Sequence, residues 1–239
     1  MTASSVVDAA RIQPASATRA RVRDGRSLRR WVTAGCMVVG PIAVAVVRLV
    51  IPYSAAGYTD HPGVYPVLAT AEVIAVLTMG FAMLGLGRLV QGRAPLLALI
   101  GTPVAAVSWT MVAVLGTLDS VTYEMAKAGS LGATDATLLA RIQANPEIAF
   151  FFGLFLLGHL VAPLLLGIGL LVSRRVPVWA GMALIAGDLL HPVAFVVLGS
   201  HALDALCYLV FAAGMATAAR AVLATPNDQW DLAPEPARP

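Results

Sequence analysis

Six stretches of this chain, about residues 31–51, 65–89, 95–118, 148–172, 177–198 and 200–223, are apolar along nearly their whole length. Polar, proline-bearing or arginine-bearing segments separate them. A helix that crosses a bilayer needs about 20 predominantly apolar residues, and each stretch is long enough. The pattern predicts an all-α, polytopic bundle of six transmembrane helices. Prolines sit where helices begin, at Pro95, Pro146 and Pro177, positions where the missing N–H costs nothing.

The intervals complete the picture. Residues 52–64 hold Pro, Gly, Asp and two tyrosines, Tyr53 and Tyr58, and read as a loop. Asp119-Ser-Val-Thr opens the longest interval, an expected loop over 119–145. Within it Thr134 is an expected N-cap for a short amphipathic helix, Asp135–Ala144, lying on the outer membrane surface. Residues 1–30, rich in Ala, Ser and Arg, are an expected disordered tail, and residues 225–239 a second tail. The apolar run at 31–51 is longer than a signal-peptide core, so it is expected to remain as the first helix.

Composition agrees with a membrane protein. The chain is 59% hydrophobic and 12% charged, whereas soluble domains are about 45–50% apolar and about 25% charged. So few charges cannot cover a soluble surface.

The net charge of +3 comes from arginines in particular places. Seven precede the first span (Arg11, Arg19, Arg21, Arg23, Arg26, Arg29, Arg30), and others mark the turns at Arg88, Arg93, Arg174 and Arg175 and the end of the last span at Arg220. The opposite loops carry Asp60, Asp119, Glu124, Asp135 and Glu147 against Lys127 and Arg141. This asymmetry predicts an N-in, C-in arrangement in the plasma membrane, with both termini cytoplasmic. It also points to membrane lipids, and not nucleic acid, as the partner of the positive charge.

Cys36 and Cys207 lie inside apolar segments and read as packing residues, not a disulfide. Residues 85–95 and 167–177 match at six of eleven positions, both spanning a turn of the form Gly-x-Gly, Arg, Pro. A parallel internal duplication and a shared solution to the same hairpin are both consistent with that match.

Candidate chemistry lies in the ionisable residues inside the spans: Arg48, Glu72, His159, Asp188, His191, His201 and Asp204. Charge in hydrocarbon is costly unless paired or facing a wet cavity. Most of these residues map to the middle or outer half, which predicts one polar pocket opening outwards. Asp188 with His191 and His201 with Asp204 have i,i+3 spacing, each pair on one helix face. The short turn at Gly199-Ser200 makes their helices antiparallel neighbours, so these four side chains are expected to meet, with His159 approaching Asp188. Pro192 is expected to free the Asp188 carbonyl. Arg48 and Glu72, at similar depth on consecutive spans, are an expected ion pair.

Two functional classes fit, beside a structural or regulatory role in which the polar residues only hold helices together. One is a protein that binds or transports a small or lipidic ligand, or a proton. The other is a membrane-embedded enzyme acting on a lipid or isoprenoid, with Asp188, His191, Asp204 and Glu72 as candidate acids and bases. No cofactor is predicted. His159, His191 and His201, with the two aspartates, supply ligand types for zinc, and His159 and His191 for haem, but no metal-binding motif is present. Nucleotide-binding, nucleophile-elbow and aspartate-rich prenyl-diphosphate motifs are also absent.

Overall fold

Among the residues described by the computed structural model, 25–51, 56–128 and 133–230, the chain is helical with no strands. Six helical stretches are long and apolar enough to cross a membrane. They comprise α1 (Gly25–Val50), α3 (Val64–Gln91), α4 (Pro95–Thr110) continued by α5 (Val112–Lys127), α7 (Pro146–Ser173), α8 (Val178–Pro192) with a wider turn over Val193–Val197, and α9 (His201–Ala224). Three short helices, α2 (Ala56–Asp60), α6 (Ala133–Gln143) and α10 (Asn227–Trp230), lie between or after them.

The spans form a closed ring in sequence order. α1 packs on α3, α3 on α4, α4 on α7, α7 on α8, α8 on α9, and α9 returns to α1. α3 also touches α7 across the ring. The outward faces carry Leu77, Leu99, Leu157 and Val197, the exposure expected where lipid is the solvent. Trp31 and Trp179 are exposed near the ends of their helices on the side that holds the termini, as an interfacial aromatic belt would place them.

Arginines tie that side together. Arg30 Nη1 donates to Leu223 O at 3.3 Å and also to Thr225 O, where α9 ends. Arg93 Nη1 donates to Ser173 O at 3.1 Å. Arg88 Nη1 donates to Trp230 O at 3.0 Å, and its guanidinium lies 5.5 Å from the centre of the buried Trp230 ring. The last carbonyls of a helix have no N–H within it, and these cations fill that need.

Several boundaries differ from those the sequence suggested. The first helix begins at Gly25, so residues 25–30 of the expected tail are helical, while 1–24 lie outside the described residues. In the expected second tail, Asn227–Trp230 is helical and residues 231–239 lie outside the description. Tyr53 likewise falls outside, and the loop after α1 contains α2.

The largest change is in the third span, which continues past Leu118 to Lys127 with only a tight break at Met111. Polar residues there satisfy themselves: Thr117 donates to Ala113 O, Ser120 to Gly116 O and Thr122 to Leu118 O, each at 2.8 Å. The helix over 135–144 exists, but it starts at Ala133, so Thr134 is inside it and not its cap.

The turn between α8 and α9 is built as its residues suggest. After Pro192, Leu198 N–H reaches back to Val193 O at 3.0 Å and Ser200 N–H to Ala194 O at 3.0 Å. Gly199 takes φ +57, a left-handed conformation cheap for glycine alone. Ser200 then caps α9 by accepting from Leu203 N–H at 3.3 Å.

The two similar hairpins turn differently. Arg174 closes α7 in the left-handed region with φ 52, whereas Gly92 follows α3 in a right-handed one. Both cysteines are free thiols.

Candidate functional site

A cavity of about 670 Å³ occupies the half of the bundle away from the termini, walled by α1, α3, the α4–α5 span, α7 and the wide turn after α8. Its lining is mostly aliphatic and aromatic, with a few polar groups: Arg48, Glu72, Asp119, Gln143, His159 and His191. Phe152, Leu156 and Val196 line it while being 47%, 42% and 76% exposed. They flank an opening between α7 and the wide turn, on the face that meets lipid. Exposed Gln143 and Ala149 mark its outer end.

The deepest polar feature is a line of four side chains. His159, on α7 and 1% exposed, donates from Nδ1 to Phe155 O at 2.8 Å, since a carbonyl can only accept. Phe155 O also accepts from Ser108 Oγ at 3.0 Å. The His159 ring stacks on Phe155 with centres 4.4 Å apart and meets the Trp109 edge at 6.4 Å. Its Nε2 faces Nε2 of His191 at 3.0 Å. His191, one turn beyond Asp188 on α8, turns Nδ1 towards Asp204 Oδ1 at 3.3 Å. Asp204 sits fully buried in the first turn of α9, where the helix N-terminus favours negative charge.

Arg48 completes the line. Its Nε lies 3.8 Å from Asp204 Oδ2, and its guanidinium lies 5.3 Å from the Phe195 ring centre and 5.7 Å from that of Tyr208. Arg48 O is a free carbonyl near the end of α1, because residue 52, four positions on, is a proline without an N–H. His201 Nδ1 donates to it at 3.0 Å, joining the first and last spans.

The expected Arg48–Glu72 ion pair is therefore corrected. Among the described residues, Asp204 takes the guanidinium within salt-bridge distance. Glu72 lies on the same cavity, where it feels the Arg48 charge, but it comes within hydrogen-bonding range of Asp119.

Asp119 accepts from Tyr58 Oη at 2.9 Å, and Tyr58 packs edge-on against the stacked pair Tyr65–Tyr123, whose centres are 3.9 Å apart. Burial first, then the Asp119 charge, pushes the Tyr58 hydroxyl well above its usual range. It stays a donor throughout ordinary pH.

Of the residues singled out from sequence, Arg48, Glu72, His159 and His191 line the cavity, and Asp204 stands directly behind His191. His191 and Asp204 meet as expected. Three placements differ. His159 reaches His191 and not Asp188, and His201 points to the α1 carbonyl and not to the other three. Asp188 is 1% exposed and does not line the cavity. Its Oδ2 has no hydrogen-bond partner among the described residues.

Sequence reasoning missed Asp119, Trp109, Phe195 and Tyr208. Asp119 was recoverable, because its spacing to buried Thr122 and Ala126 is helical. The aromatic residues carry no signal that separates them from ordinary core.

Among the described residues no group of three or more His, Cys, Asp and Glu side chains forms a metal-type cluster. No family model, curated protein or solved structure matches the chain. The functional reading therefore rests on the cavity.

Proposed function

We propose that this integral membrane protein binds, and moves between membrane leaflets or compartments, a small amphipathic molecule that enters from the lipid phase. The observation that carries this reading is the 670 Å³ cavity, apolar over most of its wall, with an opening flanked by Phe152, Leu156 and Val196. Its size is that of a small-molecule site, and a few convergent polar groups on an apolar wall are the usual means of orienting a ligand. Arg48 and the His159–His191 pair would meet the polar end, and the aliphatic wall would hold the rest. Both termini are proposed to lie in the cytoplasm of a plasma-membrane protein, because the arginine-rich side of the bundle is the side with the termini.

The test is to purify the protein in lipid nanodiscs and identify bound amphiphiles by mass spectrometry. Wild type is expected to retain one compound class near one per chain. Leu115→Trp, which fills the cavity wall, is expected to lose it while melting within a few degrees of wild type. Equal recovery from both proteins would defeat the reading. Turnover of the bound compound by the purified protein would replace it with an enzymatic one, for which Glu72 and Asp119 are the carboxyl groups on the cavity.

A further inference from the structure

The line from Phe155 O through His159 and His191 to Asp204 fixes how many protons it must carry. Phe155 O can only accept, so His159 holds a hydrogen on Nδ1 and offers a lone pair from Nε2. His191 Nε2, 3.0 Å away, must donate to it. The remaining nitrogen, Nδ1, lies 3.3 Å from a carboxylate oxygen, within ion-pair range, and neither atom has a hydrogen-bond partner among the described residues.

A neutral imidazole and an ionised carboxylate would there oppose two lone pairs. The contact is attractive only with one more proton on the pair. That proton makes either an imidazolium facing a carboxylate or a carboxyl O–H facing a neutral imidazole. The two forms have the same proton count and net charge.

Taking that proton away leaves no good arrangement. If His191 keeps its hydrogen on Nε2, Nδ1 repels the carboxylate. If the hydrogen moves to Nδ1, two Nε2 lone pairs confront each other. In a low-dielectric interior such unmatched contacts are costly. The nitrogens also meet head-on: the ring centres are 5.2 Å apart, near the greatest separation that a 3.0 Å Nε2 contact allows. A metal ion held by both would need them to converge at an angle around it, whereas a proton is held along a line.

We propose that His159, His191 and Asp204 form one binding site for a single proton, and that losing it to water in the cavity parts the two imidazoles. The groups around His191 are Arg48 from α1, His159 from α7, Asp204 and Tyr208 from α9, and Asp188 one turn back on α8. Glu72 and Asp119, from α3 and α5, stand on the same cavity. Release leaves an Asp204 carboxylate, a neutral His191 and the Arg48 cation, one positive charge fewer at the cavity wall. The site does not depend on which ligand fills the cavity.

The experiment is a pH titration of the full-length protein in nanodiscs with ¹⁵N-labelled histidine, signals being assigned from single variants. His159 and His191 are expected to change together in one one-proton step, with Nδ1 of His159 protonated on both sides of it. Asp204→Asn is expected to lose that step altogether, because its amide N–H can donate to Nδ1 without an added proton. His159→Gln keeps an acceptor for Nε2 and serves if the first variant does not fold. In it the His191 step is expected to persist with a shifted midpoint. Independent titration of the two histidines would overturn the proposal, as would an unchanged step in Asp204→Asn or an unchanged His191 midpoint in His159→Gln. So would a tightly held transition metal whose chelation moves both Nε2 signals.

Discussion

Arg48 has a side chain only 14% exposed, with its guanidinium near two aromatic rings and one carboxylate. Removing one partner of a buried ion pair leaves the other uncompensated, which costs on the order of 3 kcal/mol. Arg48→Gln should therefore destabilise the fold by roughly that amount. Combined with Asp204→Asn the losses should fall short of additive by about 1–3 kcal/mol, measured by unfolding in lipid. The same cycle with Glu72→Gln should show the smaller coupling. A larger coupling to Glu72 would mean that the guanidinium turns to α3 and not α9. At this scale the sequence told part of the story. Counting helical rise from the Gly199-Ser200 turn puts His191 and Asp204 within roughly 5 Å of each other in depth, and they meet. Rotation about each helix is not written in depth, so Asp188, on the same helix face by spacing alone, ended outside the cavity. Glu72 reads from sequence as the partner of Arg48, because the polar run at Asp119 looks like a loop and Asp204 lies far along the chain.

Helices α8 and α9 are held close by missing side chains. A Cβ on Gly187 would stand 2.6 Å from Cys207 O and 2.9 Å from Phe211 N, backbone atoms that cannot rotate away. Close backbone approach of this kind is how helices associate without a hydrophobic driving force between them. Gly187→Ala should force the hairpin apart at a cost of about 1–3 kcal/mol. It should also lengthen the His191–Asp204 contact, which lies on the same pair of helices. A thermal midpoint equal to wild type in nanodiscs would show that the pair has slack. The six spans were legible because hydrocarbon demands long uncharged runs. The continuation to Lys127 was not, since serine, threonine and aspartate look like loop until their hydroxyls are seen returning to carbonyls one turn back. Nor does any residue pattern announce the wide turn at Val193–Val197, although Pro192 marks where regular bonding must falter.

As a whole the molecule is a ring whose ends meet, α9 lying against α1 and Arg30 reaching the carbonyls that close α9. With an even number of crossings both termini share a side, and the arginines predict that side to be cytoplasmic. A reporter active only in the cytoplasm, fused after residue 239, should be active, and one inserted in the α6 region should be silent. The reverse pattern would invert the proposed orientation and move the cavity to the cytoplasmic half. Ring closure was not readable from sequence, because hydropathy orders spans along the chain and says nothing of which lie side by side.

That closure has a consequence for how the protein is made. Chains enter the membrane from the N-terminus onwards, so Arg48 arrives with the first helix and Asp204 only with the last. Throughout synthesis the guanidinium has no carboxylate from α9 to meet, and a charge in hydrocarbon draws towards the interface when it can. Arg48 lies two residues from the end of α1, close enough to the surface to wait there. The sixth helix thus brings in the counter-charge that lets the first settle. Until it is inserted, the proton-holding line does not exist.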